Sequence, residues 1–332
     1  VSGSLTLTAN WTTGCRTIRT QADLATIASN LSANYVLANN ITMSGNWTPI
    51  GSYSNKFTGK LNGNGYKLSN LTIDYYQSQK QYVGLIACSN GTITNLTIST
   101  SPSSTGAYGV YGHQYVGAFV GRQNSSGVIR NCHLVDGIVG ALDTDQSGYV
   151  GGIVGASYGL IAQCSMQDSY IEAIYRGGGI VGGVAGGTVT ECYMHGSVNN
   201  SDGADLTYSD FANWLLYYEV DNIGGIAGHA QDNATFTNCA VDISGHELIS
   251  YNKVAGIVGN KGSTAVTITN CYFTSVGGRM ESYCLNSATF GHSGITIINC
   301  TSGNISSLPS GWDTNIWKLE GNRARLRIIP IL

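Results

Sequence analysis

Self-similarity is the feature of this chain that most restricts what it can fold into. Six segments align on a glycine run: YVGLIA from Tyr82, YVGAFVG from Tyr115, YVGGIVG from Tyr149, GGGIVGG from Gly177, NIGGIAG from Asn222 and KVAGIVG from Lys253. Each leads through a polar stretch into a second block. These are TITNLTI from Thr92, VIRNCHL from Val128, LIAQCSM from Leu160, TVTECYM from Thr188, TFTNCAV from Thr235 and TITNCYF from Thr267. KLSNLTI from Lys67 and TIINCTS from Thr296 extend the array. One position therefore reads Leu71, Leu96, Cys132, Cys164, Cys192, Cys239, Cys271 and Cys300. Most intervals span about 25 to 36 residues, with one of about 47, which is the period of a solenoid unit.

A helical unit of that size would show apolar residues every 3.6 positions, and these blocks do not. They are short, rich in β-branched residues and punctuated by Gly and Asn, which reads as strands and turns. Stacked turns of a parallel β-helix would bury one continuous apolar column from such repeats. Within the second block, Ile129, Cys132 and Leu134 are apolar, as are Ile161, Cys164 and Met166. On a straight strand an offset of three points one of the two outward, so the backbone must bend between them. The residue at the bend is Asn70, Asn95, Asn131, Gln163, Glu191, Asn238, Asn270 or Asn299. Asn tolerates the left-handed conformation of such a corner, and stacked Asn side chains hydrogen-bond along the column.

Gly177, Gly179 and Gly182 satisfy G-x-G-x-x-G, a dinucleotide-binding spacing. The run is one of six aligned copies whose sisters break that spacing, and no Walker lysine follows. The glycines instead mark tight bends and close approach of neighbouring turns.

The glycine block followed by an N-[CL]-x-hydrophobic strand resembles the GLUG-repeat proteins. So does the lead-in YVLANNITMSGNWTPIGSYSNKFTGKLNGNGYKLSNLTI from Tyr35 to Ile73. The resemblance covers roughly residues 15 to 330. It implies a secreted or cell-surface right-handed parallel β-helix of adhesin-like type, with no shared catalytic residues. Some large surface proteases carry such repeats beside a zinc domain. Here the nearest string, His246-Glu247-Leu248-Ile249-Ser250, lacks the second histidine of H-E-x-x-H.

The expected fold is all-β: one single-stranded right-handed parallel β-helix of roughly eight or more coils, with a cap at each end. One domain fills residues 1–332, with an N-terminal strand and helix cap over 1–50, repeat coils over 51–304 and a C-terminal cap over 305–332. Thr20-Gln21-Ala22-Asp23 resembles a capping box, and Leu24, Ile27, Ala28 and Leu31 follow at helical spacing, predicting a helix over about 21–32. The C-terminal segment leaves the repeat and carries Trp312 and Trp317. Val1 at the start reads as a processed or excised chain.

Cysteines 132, 164, 192, 239, 271 and 300 occupy one inward position, six of nine in all. No C-x-x-C occurs. Adjacent strands lie about 4.8 Å apart, too far for the roughly 3.8 Å between Cβ atoms of a disulfide. The column is therefore expected to be one of free thiols beside the Asn131, Asn238, Asn270 and Asn299 ladder. A bridge among Cys15, Cys88 and Cys284 is left open.

The chemistry-bearing candidates are few. An excursion near 199–221 carries Tyr208, Phe211, Trp214, Leu215, Tyr217 and Tyr218. Of these, Tyr208, Trp214, Tyr217 and Tyr218, with Tyr108 and Tyr111 from a smaller excursion, are candidate binding aromatics. Carboxylates Asp143, Asp145, Asp168 and Glu172 lie on neighbouring coils, and Asp136 and Asp168 share a repeat offset. Each is expected to cap a turn, so no catalytic residue, no metal and no cofactor is assigned. Only 11% of residues are charged, against roughly 25% in an average domain, and the net charge is -3. That excludes a nucleic-acid footprint, and no apolar run is long enough to span a membrane. The function expected is a non-catalytic extracellular or cell-surface module, adhesive or structural. Its partner would be a surface glycan, a protein or other copies of itself in a filament. A polysaccharide lyase or glycoside hydrolase on the same scaffold is the alternative.

Overall fold

A computed structural model describes residues 14–75, 78, 80–101, 109–141, 148–199, 222–250, 253–274, 279–282, 285–286 and 295–327. The chain winds as a parallel β-helix. Strands stack in parallel register on the same strand one turn later: Thr92–Thr100 on Val128–Val135, and that in turn on Leu160–Ala162 and Ser165–Ala173. A 7-stranded ladder carries the YVG segments, and a 6-stranded ladder carries the apolar half of each glycine run. The remaining parallel strands join in one large sheet.

Each ladder contributes one inward row. Ile93, Ile129, Ile161, Val189 and Phe236 face the interior from the first strand of the second block, and Ile98, Leu134, Met166, Met194 and Val241 from the strand after the corner. Val83, Val116 and Val150 close the opposite wall. All belong to one continuous buried cluster, the apolar column that a solenoid must bury between turns rather than within one.

The corners follow from the sequence. Asn70, Asn95, Asn131, Gln163, Glu191, Asn238, Asn270 and Asn299 all have φ between 50° and 58°. Asn131 Nδ2 donates to Asn95 Oδ1 at 2.9 Å, Asn95 Nδ2 to Asn62 Oδ1 at 3.1 Å, and Gln163 Nε2 to Glu191 Oε2 at 2.9 Å. The KLSNLTI copy is displaced from its expected place. Leu68 pairs with Ile98 and Leu71 with Thr100, so Leu71 is not beneath Leu96. Gly63 is, and a Cβ there would lie 2.6 Å from that of Leu96.

The eight described cysteines are free thiols. Cys132 Sγ lies 3.4 Å from the Arg130 carbonyl and Cys164 Sγ 3.2 Å from that of Ala162, and the column continues the pattern. Burial pushes the thiols of Cys132 and Cys192 well up. The glycine runs serve close approach. A Cβ at Gly182 would meet Val150 N at 2.4 Å, and one at Gly179 would meet Met194 Cγ at 2.3 Å. Neither has the positive φ of a turn glycine, but the chain bends at Gly152–Ile153 and at Gly179–Ile180 between successive strands, so the runs mark bends as well as close approach.

The N-terminal helix is shorter than its periodicity predicts: an α-helix over Gln21–Ala25 and a 3-10 turn over Thr26–Ser29. The capping box is present, with Asp23 N donating to Thr20 Oγ1 at 3.1 Å and Thr20 N to Asp23 Oδ2 at 3.0 Å. Leu24 and Ile27 are fully buried in the main core. The Tyr35 hydroxyl donates to the Asn30 carbonyl at 2.7 Å and holds the chain where it leaves the helix. At the other end an antiparallel hairpin, Trp317–Glu320 with Arg323–Leu326, lies against the flank. Trp312 and Trp317 pack there on Tyr193, Ala240 and Tyr272, and Trp312 Nε1 donates to the Asn270 carbonyl at 2.9 Å. Its aromatic residues cover the outer face of the large sheet. Among the described residues no helix is long and apolar enough to cross a membrane.

Candidate functional site

In the YVG segments the valine faces inward, so alternation turns the preceding tyrosine outward. Tyr82, Tyr115 and Tyr149 are register partners on successive turns. Their rings stack with centroids 5.0 and 5.6 Å apart and planes within 12°. Tyr53 joins the end of the column at 5.5 Å from Tyr82. It comes from a tight turn in which Ser52 N donates to the Asn55 carbonyl at 2.8 Å, and it is 50% exposed. Gly183 lies under the other end, where a Cβ would stand 2.3 Å from Tyr149 Cδ1. A side chain there would push the ring out of the column.

Cations line the stack. The Arg122 guanidinium is 5.1 Å from the Tyr53 ring centre and 4.7 Å from that of Tyr158, held between two aromatic faces. Lys56 Nζ lies 4.8 Å from Tyr53, and Arg176 lies 4.7 Å from Tyr149. Cation–π contacts contribute about 0.5–2 kcal/mol each, more as water is excluded. Arg122 stands in the neighbouring ladder between Cys88 and Ala156, whose small side chains leave room for it. Burial raises the phenol pKa of Tyr82, Tyr115 and Tyr149. The row therefore presents neutral hydroxyls beside fixed positive charge. A shallow groove continues it past Ser157, Tyr158, His229 and Gln231, and among the described residues no carboxylate lines it.

Of the expected binding aromatics, only Tyr111 falls among the described residues. Tyr208, Trp214, Tyr217, Tyr218 and Tyr108 lie outside the described residues, as do Phe211, Leu215, Asp143, Asp145 and Cys284. Tyr111 lies in the strand Val110–Gly112 and is 5% exposed, buried rather than offered to a ligand. The tyrosine column was visible in the repeat alignment, since Tyr82, Tyr115 and Tyr149 open three aligned copies. Tyr53 lies outside the repeat and had no such signal.

Among the described carboxylates, Asp136 and Asp168 follow the paired residues Val135 and Gln167 and hold equivalent places on successive turns, as their shared offset predicts. Asp136 and Asp168 share the left-handed conformation, at φ 52° and 47°, and Asp136 N donates to the Gln167 carbonyl at 3.2 Å. Glu172 is buried. Asp168 stands on the outer face of the large sheet beside His195 and His246. Burial, with the His246 ring adjoining, lowers the His195 pKa.

No protein-family profile matches the chain, so the GLUG resemblance stays a likeness of motifs. A stretch of 136 residues, 40% of the chain, is 35% identical to halomucin of Haloquadratum walsbyi (strain DSM 16790 / HBSQ001). The match spans 1% of that much longer protein. Among solved structures, one from Bacteroides ovatus, provisionally named an immunoglobulin A1 protease, is similar over 94% of this chain and 92% of its own, with TM-score 0.62 and 18% identity. A second, named IgA1 protease, is similar over 87% of this chain and 22% of its own, with TM-score 0.59 and 17% identity. These likenesses show the fold. They also correct one expectation: the same scaffold occurs in chains named for an enzymatic activity, so the chain is not to be classed as a non-enzyme. The absence of a familiar catalytic motif was the basis for that classification, and a repeat scaffold says nothing about the chemistry of the protein that contains it.

Proposed function

We propose that the chain is the ligand-holding module of a secreted or cell-surface protein, and that the tyrosine column with Arg122 is the face that binds an acidic glycan. The arrangement of Arg122 between Tyr53 and Tyr158 carries this reading. A guanidinium fixed by two rings has already lost much of its rotational freedom, and its planar donors suit a carboxylate or a sulfate ester. Lys56 and Arg176 add positive charge along the same row, and the stacked phenols provide hydroxyls at regular intervals for an extended polymer. The names of halomucin and of the IgA1 proteases support work outside the cell. A face of this kind would equally serve a protein that goes on to cleave what it holds.

The test is calorimetric titration of the chain with a sulfated polysaccharide, a uronate polymer and a neutral glucan. The first two should bind, more weakly as salt rises, and Arg122→Ala should weaken them at least tenfold while the protein stays folded, melting only a few degrees lower for the two lost ring contacts. Equal affinity for the neutral glucan, or indifference to Arg122→Ala, would overturn the reading.

A further inference from the structure

Two imidazoles from successive turns converge on one carboxylate oxygen of the turn before them. In the strand Ser165–Ala173, Gln167 pairs with His195 and Ser169 with Gly196, which leaves Asp168 as the extra residue of a bulge. A bulge residue is released from the ladder and can be aimed. Asp168 takes φ 47°, and its side chain is 60% exposed. His195 Nδ1 lies 3.3 Å from Asp168 Oδ1, and His246 Nε2 lies 3.8 Å from the same oxygen. The three donor atoms all fall within 4.8 Å of one another. The two imidazoles meet edge to face, with centroids 4.5 Å apart.

The third member is held by a built turn. Gly245 has φ 72°, and His246 N donates to the Ile243 carbonyl at 2.9 Å. Ser244 N donates to Asp242 Oδ1 at 3.0 Å, and its hydroxyl bonds the same oxygen. Asp242 is fully buried, with Arg323 and Arg325 of the C-terminal hairpin each 3.7 Å from its other oxygen. Their charge is thus drawn toward Asp242.

We propose that Asp168, His195 and His246 form a binding site for a divalent transition cation, Zn²⁺ above all. Ligands about 2.0–2.1 Å from a tetrahedral zinc stand about 3.4 Å from one another. One pair already has that spacing, the second exceeds it by a few tenths of an ångström, and side-chain rotation of the exposed carboxylate and of His246 closes the rest. Two imidazoles with one carboxylate favour zinc over calcium or magnesium, which prefer all-oxygen sets. Three protein ligands leave a fourth position on the solvent side, open to water or to a donor atom of a bound partner. The ion would clip three consecutive turns together and join them, through the Asp242 turn, to the C-terminal hairpin.

The experiment is titration of the chelator-treated full chain with Zn²⁺ alone, followed by calorimetry and thermal melting. One equivalent should bind with a Kd in the micromolar range or below and raise the melting temperature. Asp168→Asn and His246→Gln, both at partly exposed positions, should each weaken binding at least tenfold while leaving the metal-free melting temperature within a degree or two. Absence of saturable binding would overturn the proposal. So would one-equivalent binding that persists in both variants, since the metal would then sit elsewhere, on a thiol for example. Should either variant fail to fold, X-ray absorption of the zinc-loaded wild-type chain decides. Nitrogen and oxygen neighbours support the site, and sulfur neighbours sink it.

Discussion

At the corner before each cysteine, an L residue occupies a backbone region that costs an ordinary side chain about 1–2 kcal/mol. Asn131 holds φ 52° there, donates to Asn95 and accepts a contact from His133 Nε2 at 3.0 Å. Asn131→Ala should therefore cost about 2 kcal/mol in urea unfolding, strain and lost hydrogen bonds together. Asn131→Gly should cost less, because it removes the strain. Equal losses would show that the left-handed corner is not what selects Asn. The thiol beside each corner is a small buried hydrophobe. Denaturing, non-reducing titration should find all eight described cysteines free, and Cys192→Asp should unfold the middle turns, since a buried carboxylate has no partner there. In the native protein Cys300 should label first in a Cys284→Ser background. It is partly exposed, and hydrogen bonding from Cys271 lowers its pKa to about 7, so its rate should climb as pH rises through 7. Cys88, raised by burial to about 11, should stay unlabelled throughout.

Among the elements, the tyrosine column joins strands that share no sequence-local contact. An aromatic pair contributes about 0.5–1.5 kcal/mol beyond its buried area, and Tyr115 stacks on both sides while Tyr53 stacks on one. Tyr115→Ala should cost about 2–4 kcal/mol in stability. Tyr53→Ala should cost under about 1 kcal/mol, as expected of an exposed position, yet weaken glycan binding by releasing Arg122. Melting curves and titration on the same two variants separate the roles. A Tyr53→Ala protein that melts several degrees lower with binding intact would make the column purely structural. Gly183→Leu tests the other end, since a side chain would collide with the Tyr149 ring. It should detach that ring, release Arg176 from it and lower the affinity while leaving Arg122 in place.

For the whole molecule, stability is close to a sum over turns and the interfaces between neighbours. Cys132 and Cys164 hold equivalent places, as do Val128 with Leu160 and His133 with Ser165. Excising residues 132–163, so that Asn131 precedes Cys164, removes one turn and restores the same stacking on both sides. The shortened chain should keep its β circular dichroism and unfold with a smaller dependence on urea, because it exposes less surface. Failure to fold would mean that the turns are not interchangeable units. The excision also removes Tyr149 and Tyr158, the second ring that holds Arg122, so the shortened chain should fold yet bind the acidic glycan more weakly.

The repeat determined the architecture by itself, because an inward row must recur once per turn and the Ile129-Cys132-Leu134 offset admits only a bend. The eight corner residues, the free-thiol column and the capping box at Thr20 were all legible for that reason: each depends on neighbours within a few positions or on the period. Tertiary structure alone decided what meets across turns. Asp168 reads as a turn cap until the bulge aims it at His195, about 27 positions along, and at His246 in a third turn. Tyr53 reads as a loop residue until it stacks on Tyr82 and encloses Arg122 with Tyr158. The Leu71 copy has the right letters and the wrong register, because Gly63 already fills the space below Leu96. Periodicity reports which face a residue takes. Which partners share that face depends on loop lengths and bulges that shift one turn against the next, and these have no period to read.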